Sequence, residues 1–158
     1  MSVSVQEADF DAGAEIAALS IGREDVGAVA SFVGLVRADK AETAGGFGGA
    51  PVVKAMTLEH YPGMTEKALS EIVAEARQRW DVLDATVIHR VGTLHPTEPI
   101  VLVAVSSGHR GDAFAACEFI MDFLKTRAPF WKKEATPEGE RWVDARESDD
   151  RAAARWQA

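Results

Sequence analysis

The sequence predicts a single α+β domain over residues 1–158, with a mostly antiparallel sheet and packed helices. A chain of 158 residues suits one domain of ordinary size. Its 47% hydrophobic and 27% charged residues are typical of a globular protein with a real core, which excludes disordered and disulfide-scaffold classes. Strand-like and helix-like patterns are mixed along the chain, and hairpin turns replace regular βαβ alternation.

The first part of the chain is expected to contain short elements and one loop. The expected elements are strand 2–6, helix 10–19, strand 27–36, loop 38–51 and strand 52–60. Asp9 or Asp11 can cap the helix, and the small, β-branched residues of 27–36 predict a buried strand. Loop 38–51 is rich in glycine, which leaves the backbone free, so we expect it to be flexible.

The second part contains two longer amphipathic helices and two strand pairs. The expected elements are helix 65–80, strands 86–91 and 100–107, helix 109–127, strands 130–135 and 141–143, and tail 145–158. The turn 94–99 makes the first strand pair antiparallel, and Pro129 ends the second helix. The charged tail is expected to be a helix or a docking arm.

The charge distribution favours a small anionic ligand. The net charge of −8 opposes general binding of nucleic acid, yet residues 109–133 hold five basic and three acidic residues. No apolar run is long enough for a membrane helix, and residues 1–10 do not resemble a signal peptide. We therefore expect a cytoplasmic protein that binds neither membrane nor nucleic acid.

Cysteine and histidine give no sign of a metal or redox site. Cys117 is the one cysteine, and it lies in the apolar stripe of helix 109–127, which indicates a buried structural thiol. His60, His89, His95 and His109 lack the spacing of metal ligands. We expect no cofactor.

Positively charged residues mark a possible anion pocket. His109 and Arg110 lie where a strand ends and a long helix begins, and a helix N-terminus attracts anions. Arg37 ends strand 27–36 and could close the same pocket. The alternative is a polar cap with solvated charges.

Two lysines could converge on that pocket. Lys125 ends the apolar helix, and Lys132 follows Pro129, which turns the chain. Paired lysines suit nucleophilic or acid–base chemistry because neighbouring cations depress their pKa. Spacing alone leaves open that both are ordinary surface lysines.

Five ordered strings resemble one family, the large, catalytic subunit of molybdopterin synthase (the MoaE family). They are GLVR at 34–37, LEHYPGMTEK at 58–67, HRVG at 89–92, SGHR at 107–110 and LKTRAPFWKKE at 124–134. The resemblance runs from about residue 27 to residue 146. It departs from the family pattern in a longer Gly-rich loop after Arg37, and in turn 94–99, which lacks an expected glycine.

The resemblance implies an α/β-hammerhead fold and a sulfurtransferase. Such an enzyme converts cyclic pyranopterin monophosphate (precursor Z) into molybdopterin, in molybdenum cofactor biosynthesis. The sulfur comes from a thiocarboxylate on the C-terminal Gly-Gly of a small ubiquitin-like subunit. The resemblance further implies a heterotetramer, in which a central homodimer of large subunits binds one small subunit at each end.

The resemblance also implies roles for seven residues. The implied catalytic residues are Lys125 and Lys132, the implied substrate-binding residues are Arg37, His109 and Arg110, and the implied supporting residues are Glu134 and Arg146. Lys125 could act by acid–base or covalent chemistry. The alternative functions are a non-catalytic module that binds the tail of a ubiquitin-like partner, and a phosphate- or nucleotide-binding domain, for which no phosphate loop is present.

Overall fold

The computed structural model describes residues 1–38, 55–136, 139–143 and 147–157. These residues form two four-stranded sheets with four α-helices, which confirms the predicted α+β class. The elements are β1 (Ser2–Gln6), α1 (Ala12–Ala18), β2 (Ala28–Leu35), β3 (Ala55–His60), α2 (Met64–Arg79), β4 (Asp84–Arg90), β5 (Gly92–Leu94), β6 (Pro99–Ser107), α3 (Arg110–Arg127), β7 (Phe130–Thr136), β8 (Gly139–Val143), α4 (Glu147–Ala154) and a 3-10 turn (Arg155–Gln157).

The first sheet has the strand order β1-β4-β6-β2. β4 and β6 pair antiparallel, with Val87 opposite Val103, as the turn between them predicts. β1 adds to β4 in parallel, and β2 pairs antiparallel with β6. Because β4 and β6 lie inside the sheet, their side chains are buried almost without interruption.

Helices α2 and α3 supply the main core. Leu69, Ile72, Val73 and Ala76 lie on one face of α2 and are fully buried, in accordance with the 3.6-residue period. They pack with α3 residues such as Phe119 in one cluster against the first sheet. α3 ends at Arg127 because the residue before Pro129 is disfavoured in helical conformation.

The second sheet has the order β5-β3-β7-β8, and all its pairs are antiparallel. Met56, Leu58 and Leu94 form its own small core with neighbouring residues. Phe130, the first residue of β7, packs against both clusters and so joins the two sheets. β5, which has three residues, was not predicted because so short a strand has no period of its own.

Three predictions need comment. β2 was expected to be buried, but it is an edge strand whose Phe32, Val33 and Leu35 are exposed. The predicted loop 38–51 lies outside the described residues except for Ala38. The tail is both a helix and a docking arm, since α4 packs on α3.

None of the helices that the structure describes combines the length and hydropathy of a membrane span.

Candidate active site

A cavity of about 770 Å³ opens beside the end of β2 and one face of the second sheet. Elements from both sheets and two helices contribute to its wall. The lining residues are Phe32, Val33, Gly34, Leu35, Val36, Arg37, Ala38, Met56, Pro96, Thr97, Ile100, Val101, Lys125, Lys132, Glu134, Val143 and Asp149. Four of the seven residues that the sequence singled out are among them.

Lys125 reaches the cavity from the last turn of α3. The helix is anchored by its buried stripe, in which Phe123 and Leu124 directly precede this lysine. A cation in the last turn is favoured by the partial negative charge of the helix C-terminus. Lys125 is therefore an exposed ammonium group on a rigid support.

β7 supplies Lys132 and Glu134 from one face of the second sheet. Side chains two residues apart on a strand point to the same side, and both line the cavity. Met56, opposite Glu134, and Val143, opposite Lys132, line it too. Lys133 lies between them on the opposite face, where its ammonium is 2.7 Å from a carboxylate oxygen of Glu140.

Arg37 is positioned by the turn between β5 and β6. The Thr97 amide donates to the Val36 carbonyl over 2.8 Å, and the Val36 amide donates to the Glu98 carbonyl over 2.9 Å. A bulge interrupts the β2–β6 register after Gly34, where an added Cβ would lie 2.7 Å from Val101 Cγ1. The glycine thus permits a close approach that bends the strand end toward the cavity.

His89 lies beneath the junction of α3 and β7. Its ring is 4% exposed and stacks on Phe130, with 3.9 Å between ring centroids and 21° between planes. Its Nδ1 is 2.8 Å from the Arg90 carbonyl oxygen. Burial, assisted by the charges of Lys125 and Lys132, lowers the pKa of His89 to about 4, against the opposing effect of that hydrogen bond.

Two predicted site residues, His109 and Arg110, are not among the residues that line this cavity of their own chain. His109 and Arg110 are exposed at the start of α3 and lie roughly 23 Å along the helix axis from Lys125, at a rise of about 1.5 Å per residue. Arg146 lies outside the described residues. Glu134, in contrast, is at the cavity.

The MoaE protein family model matches residues 5–127 of this chain. The chain belongs to the MoaE family. A molybdopterin synthase catalytic subunit from Ralstonia nicotianae is 66% identical over 155 residues, which cover 98% of this chain and 84% of that protein.

Solved structures agree with this MoaE-family assignment. A molybdopterin biosynthesis MoaE protein from Burkholderia ambifaria MC40-6 is 55% identical with a TM-score of 0.80, over 99% of this chain and 98% of that one. A molybdopterin synthase from Staphylococcus aureus is 31% identical with a TM-score of 0.75, over 89% of this chain and 95% of that one. The fold expected from the resemblance is thereby confirmed.

Two polar cavity residues of this MoaE-family chain were not singled out in the sequence analysis. Asp149 comes from α4, in a charged tail without a motif, so no signal could have found it. Thr97 occupies the turn that lacks the expected glycine, and its φ of 79° is a conformation that glycine normally takes. The absence of the expected glycine in this turn was therefore the sequence feature that could have drawn attention to Thr97.

The electrostatics of the cavity suit anionic ligands. Arg37, Lys125 and Lys132 outnumber the two acidic lining residues, Glu134 and Asp149. Apolar wall residues from β2 and β6 lower the local dielectric constant, which strengthens the attraction between each charged side chain and a charged ligand. The arrangement can hold a phosphate or carboxylate and can donate protons from two ammonium groups.

The one cysteine takes no part in this site. Cys117 is buried in the core, and burial raises the pKa of its thiol to about 11. The predicted structural thiol is therefore confirmed. Among the residues that the structure describes, no group of three histidine, cysteine or acidic side chains could hold a metal ion.

Proposed function

We propose that this chain is the catalytic subunit of a molybdopterin synthase, a sulfurtransferase of molybdenum cofactor biosynthesis in the cytoplasm. The observation that carries the proposal is the convergence of Lys125, Lys132 and Arg37 on one cavity of a MoaE-family fold. Curated relatives that are 51–66% identical bear the name of that catalytic subunit. The word subunit in those names supports a second, different chain in the assembly.

The proposed reaction converts precursor Z into molybdopterin. The sulfur donor is a thiocarboxylate on the C-terminal Gly-Gly of a small ubiquitin-like subunit, and its tail enters the cavity. Donor and substrate are both anionic, so a net positive cavity attracts both. A volume of about 770 Å³ falls within the range of roughly 300–1,000 Å³ that small-molecule sites occupy.

The lysines take the chemical roles in this proposal. Lys125 stabilises the oxyanion at the acyl carbon of the donor tail and shuttles a proton there. Lys132 binds the pterin substrate and protonates a leaving oxygen. Two sulfur atoms are needed per product, so the same pair acts twice, through a hemisulfurated intermediate.

The remaining residues bind and orient the substrate. Arg37 presents a planar guanidinium that can hold the phosphate by two hydrogen bonds. Glu134 shares the cavity face of β7 with Lys132 and orients it. Arg146 remains proposed on the resemblance alone.

His109 and Arg110 enter the proposal through a second copy of the chain. They lie too far from Lys125 to reach the same cavity within one chain. A central homodimer, with one small subunit at each end, would let them complete the anion pocket of the neighbouring large subunit. This arrangement reconciles the proposed substrate-binding residues with the fold.

A reconstitution tests the proposed activity. The purified chain is mixed with a thiocarboxylated small subunit and precursor Z, and molybdopterin is quantified. We expect product from the wild type and a loss of roughly 10²–10⁴-fold for Lys125→Ala, because acid–base catalysis contributes about that much.

Lys133→Ala is the matched control. Lys133 lies in the same stretch of sequence but on the opposite face of β7, so its removal should leave product formation unchanged. Tight binding of the small subunit without product from the wild type would contradict the proposal and favour the non-catalytic tail-binding module.

A further inference from the structure

The corner between α3 and β7 decides where the two lysines lie. Lys125 precedes this corner and Lys132 follows it, so a change in its angle changes the distance between their ammonium groups. The corner itself is short, with Ala128 and Pro129 between the two elements. Within the corner, the Phe130 amide donates to the Ala128 carbonyl over 3.0 Å.

Two buried side chains support the corner from outside. The Thr65 hydroxyl of α2 donates to the Pro129 carbonyl over 2.9 Å, and Thr65 is fully buried. From β4, the His89 ring lies flat against Phe130, the first residue after the corner. His89 is thus the aromatic platform on which β7 begins.

A hydrogen bond orients the His89 ring, and its surroundings favour the neutral form. A carbonyl oxygen can only accept, so Nδ1 donates to Arg90 and carries the proton of the neutral ring. Lys125 of α3, Lys132 of β7 and His60 of β3 all act on the ring as cations or potential cations, and they oppose its protonation. A protonated His89 ring would repel the ammonium groups of both lysines.

We propose that His89 is a positioning residue for the sulfur-transfer reaction: its neutral ring, stacked on Phe130, holds the α3–β7 corner at the angle that brings Lys125 and Lys132 to one cavity. His89 neither contacts substrate nor transfers a proton. The inference rests on the proposed function, since it concerns the lysines to which that proposal assigns catalysis.

The test compares His89→Phe with His89→Leu. Both variants keep an apolar side chain in a buried position and both lose the hydrogen bond to Arg90, but only phenylalanine offers a flat ring to Phe130. We expect His89→Phe to form product close to the wild-type rate. His89→Leu should lose roughly tenfold to a hundredfold in kcat, because misplacement of reacting groups by about 1 Å costs that much.

A pH profile separates positioning from proton transfer. For His89→Phe we expect the same dependence of rate on pH as for the wild type. A profile that loses one limb in this variant would overturn the proposal, since His89 would then be the acid or base. Equal losses in kcat for the phenylalanine and leucine variants, with equal melting temperatures, would also overturn it.

A second readout does not need the reaction. Lysines are acylated with an amine-reactive reagent, and modification of Lys125 and Lys132 is measured by mass spectrometry relative to Lys133. We expect the relative rates to change severalfold in His89→Leu and to stay unchanged in His89→Phe. Absence of product from the wild type would contradict the proposed function alone, whereas unchanged relative rates in His89→Leu would contradict the role of His89 alone.

Discussion

Single residues around the cavity carry unusual conformations or burial. Arg90 is 7% exposed, and its guanidinium donates to the Glu7 and Pro99 carbonyls over 3.0–3.2 Å, which ties the end of β1 to the start of β6. Thr97 holds a left-handed backbone that costs about 1–3 kcal/mol for a residue other than glycine. The hydrogen bond from the Thr97 amide to the Val36 carbonyl holds this conformation in place. The same hydrogen bond fixes the path of the chain directly before Arg37.

We predict that Thr97→Gly stabilises the protein by about 1 kcal/mol. The strain energy released at the left-handed backbone is larger than the free-energy cost of the extra conformational entropy that glycine gives the unfolded chain. The threonine side chain is exposed, so its removal costs little packing energy. Urea denaturation measures the change. Thr93→Gly is the control, since Thr93 is in strand β5 with its hydroxyl 2.9 Å from that of Thr57, and it should be destabilised. A loss of stability in Thr97→Gly would refute the assigned strain.

At the scale of elements, the C-terminal arm is fastened by one aromatic cluster. The Trp156 ring packs edge-on against Trp80 of α2 at 5.5 Å and against Phe119 of α3 at 5.6 Å between centroids. Its Nε1 donates to Asp122 over 2.6 Å, and its carbonyl accepts from Arg79. These contacts seat α4 on α3, and α4 brings Asp149 to the cavity.

We predict that Trp156→Ala lowers the free energy of unfolding by about 2 kcal/mol. The change removes half-buried aromatic area and leaves Asp122 without this donor. The measurement is the urea midpoint, with Trp142→Ala as control, because Trp142 is 56% exposed and its loss should cost no more than about 0.5 kcal/mol. If both variants were equally stable, the arm would not be docked through Trp156.

At the scale of the whole molecule, the proposed site residues divide into two groups at opposite ends of α3. Arg37, Lys125, Lys132 and Glu134 share the cavity, while His109 and Arg110 occupy the far end. In a twofold dimer each contact occurs twice, so two complete sites would form if each far end met the partner's cavity.

We predict that heterodimers restore activity between complementary variants. A dimer of one Lys125→Ala chain and one Arg110→Ala chain retains one intact site, so it should form product at about half the wild-type rate, although both parent homodimers are nearly inactive. Dimers are isolated with two different affinity tags, and molybdopterin is quantified.

The control pairs Lys125→Ala with Lys132→Ala. Both changes lie in the same cavity, so each site of this heterodimer keeps a lesion and activity should stay low. Restoration by this control, or none by the test pair, would refute a site shared between two chains.

Periodicity predicted most of the fold. The helices α2 and α3, the antiparallel pair of β4 and β6, and the hairpin of β7 and β8 lie within a few residues of their predicted bounds. Helices α2 and α3 each bury one stripe, and β4 and β6 are buried along almost their whole length, so these patterns can be recognised from neighbouring residues alone. The exposure of Phe32 on β2 was not predicted, because the place of a strand at the edge of a sheet depends on its partners.

The sequence by itself determined the fold class, the family and the candidate functional residues. The mixed helix and strand patterns indicated the fold class, and long ordered strings such as that at 124–134 indicated the family and the candidate residues. Only the tertiary structure decided which of those residues meet. It brought Lys125, Lys132 and Arg37 to one cavity together with Thr97 and Asp149. It also stacked the buried His89 on Phe130 beneath that cavity's lysine pair, and it placed Arg110 at the far end of α3. The physical reason is that the cavity is built from segments far apart in the chain, whose approach is fixed by packing between two sheets and not by any local pattern.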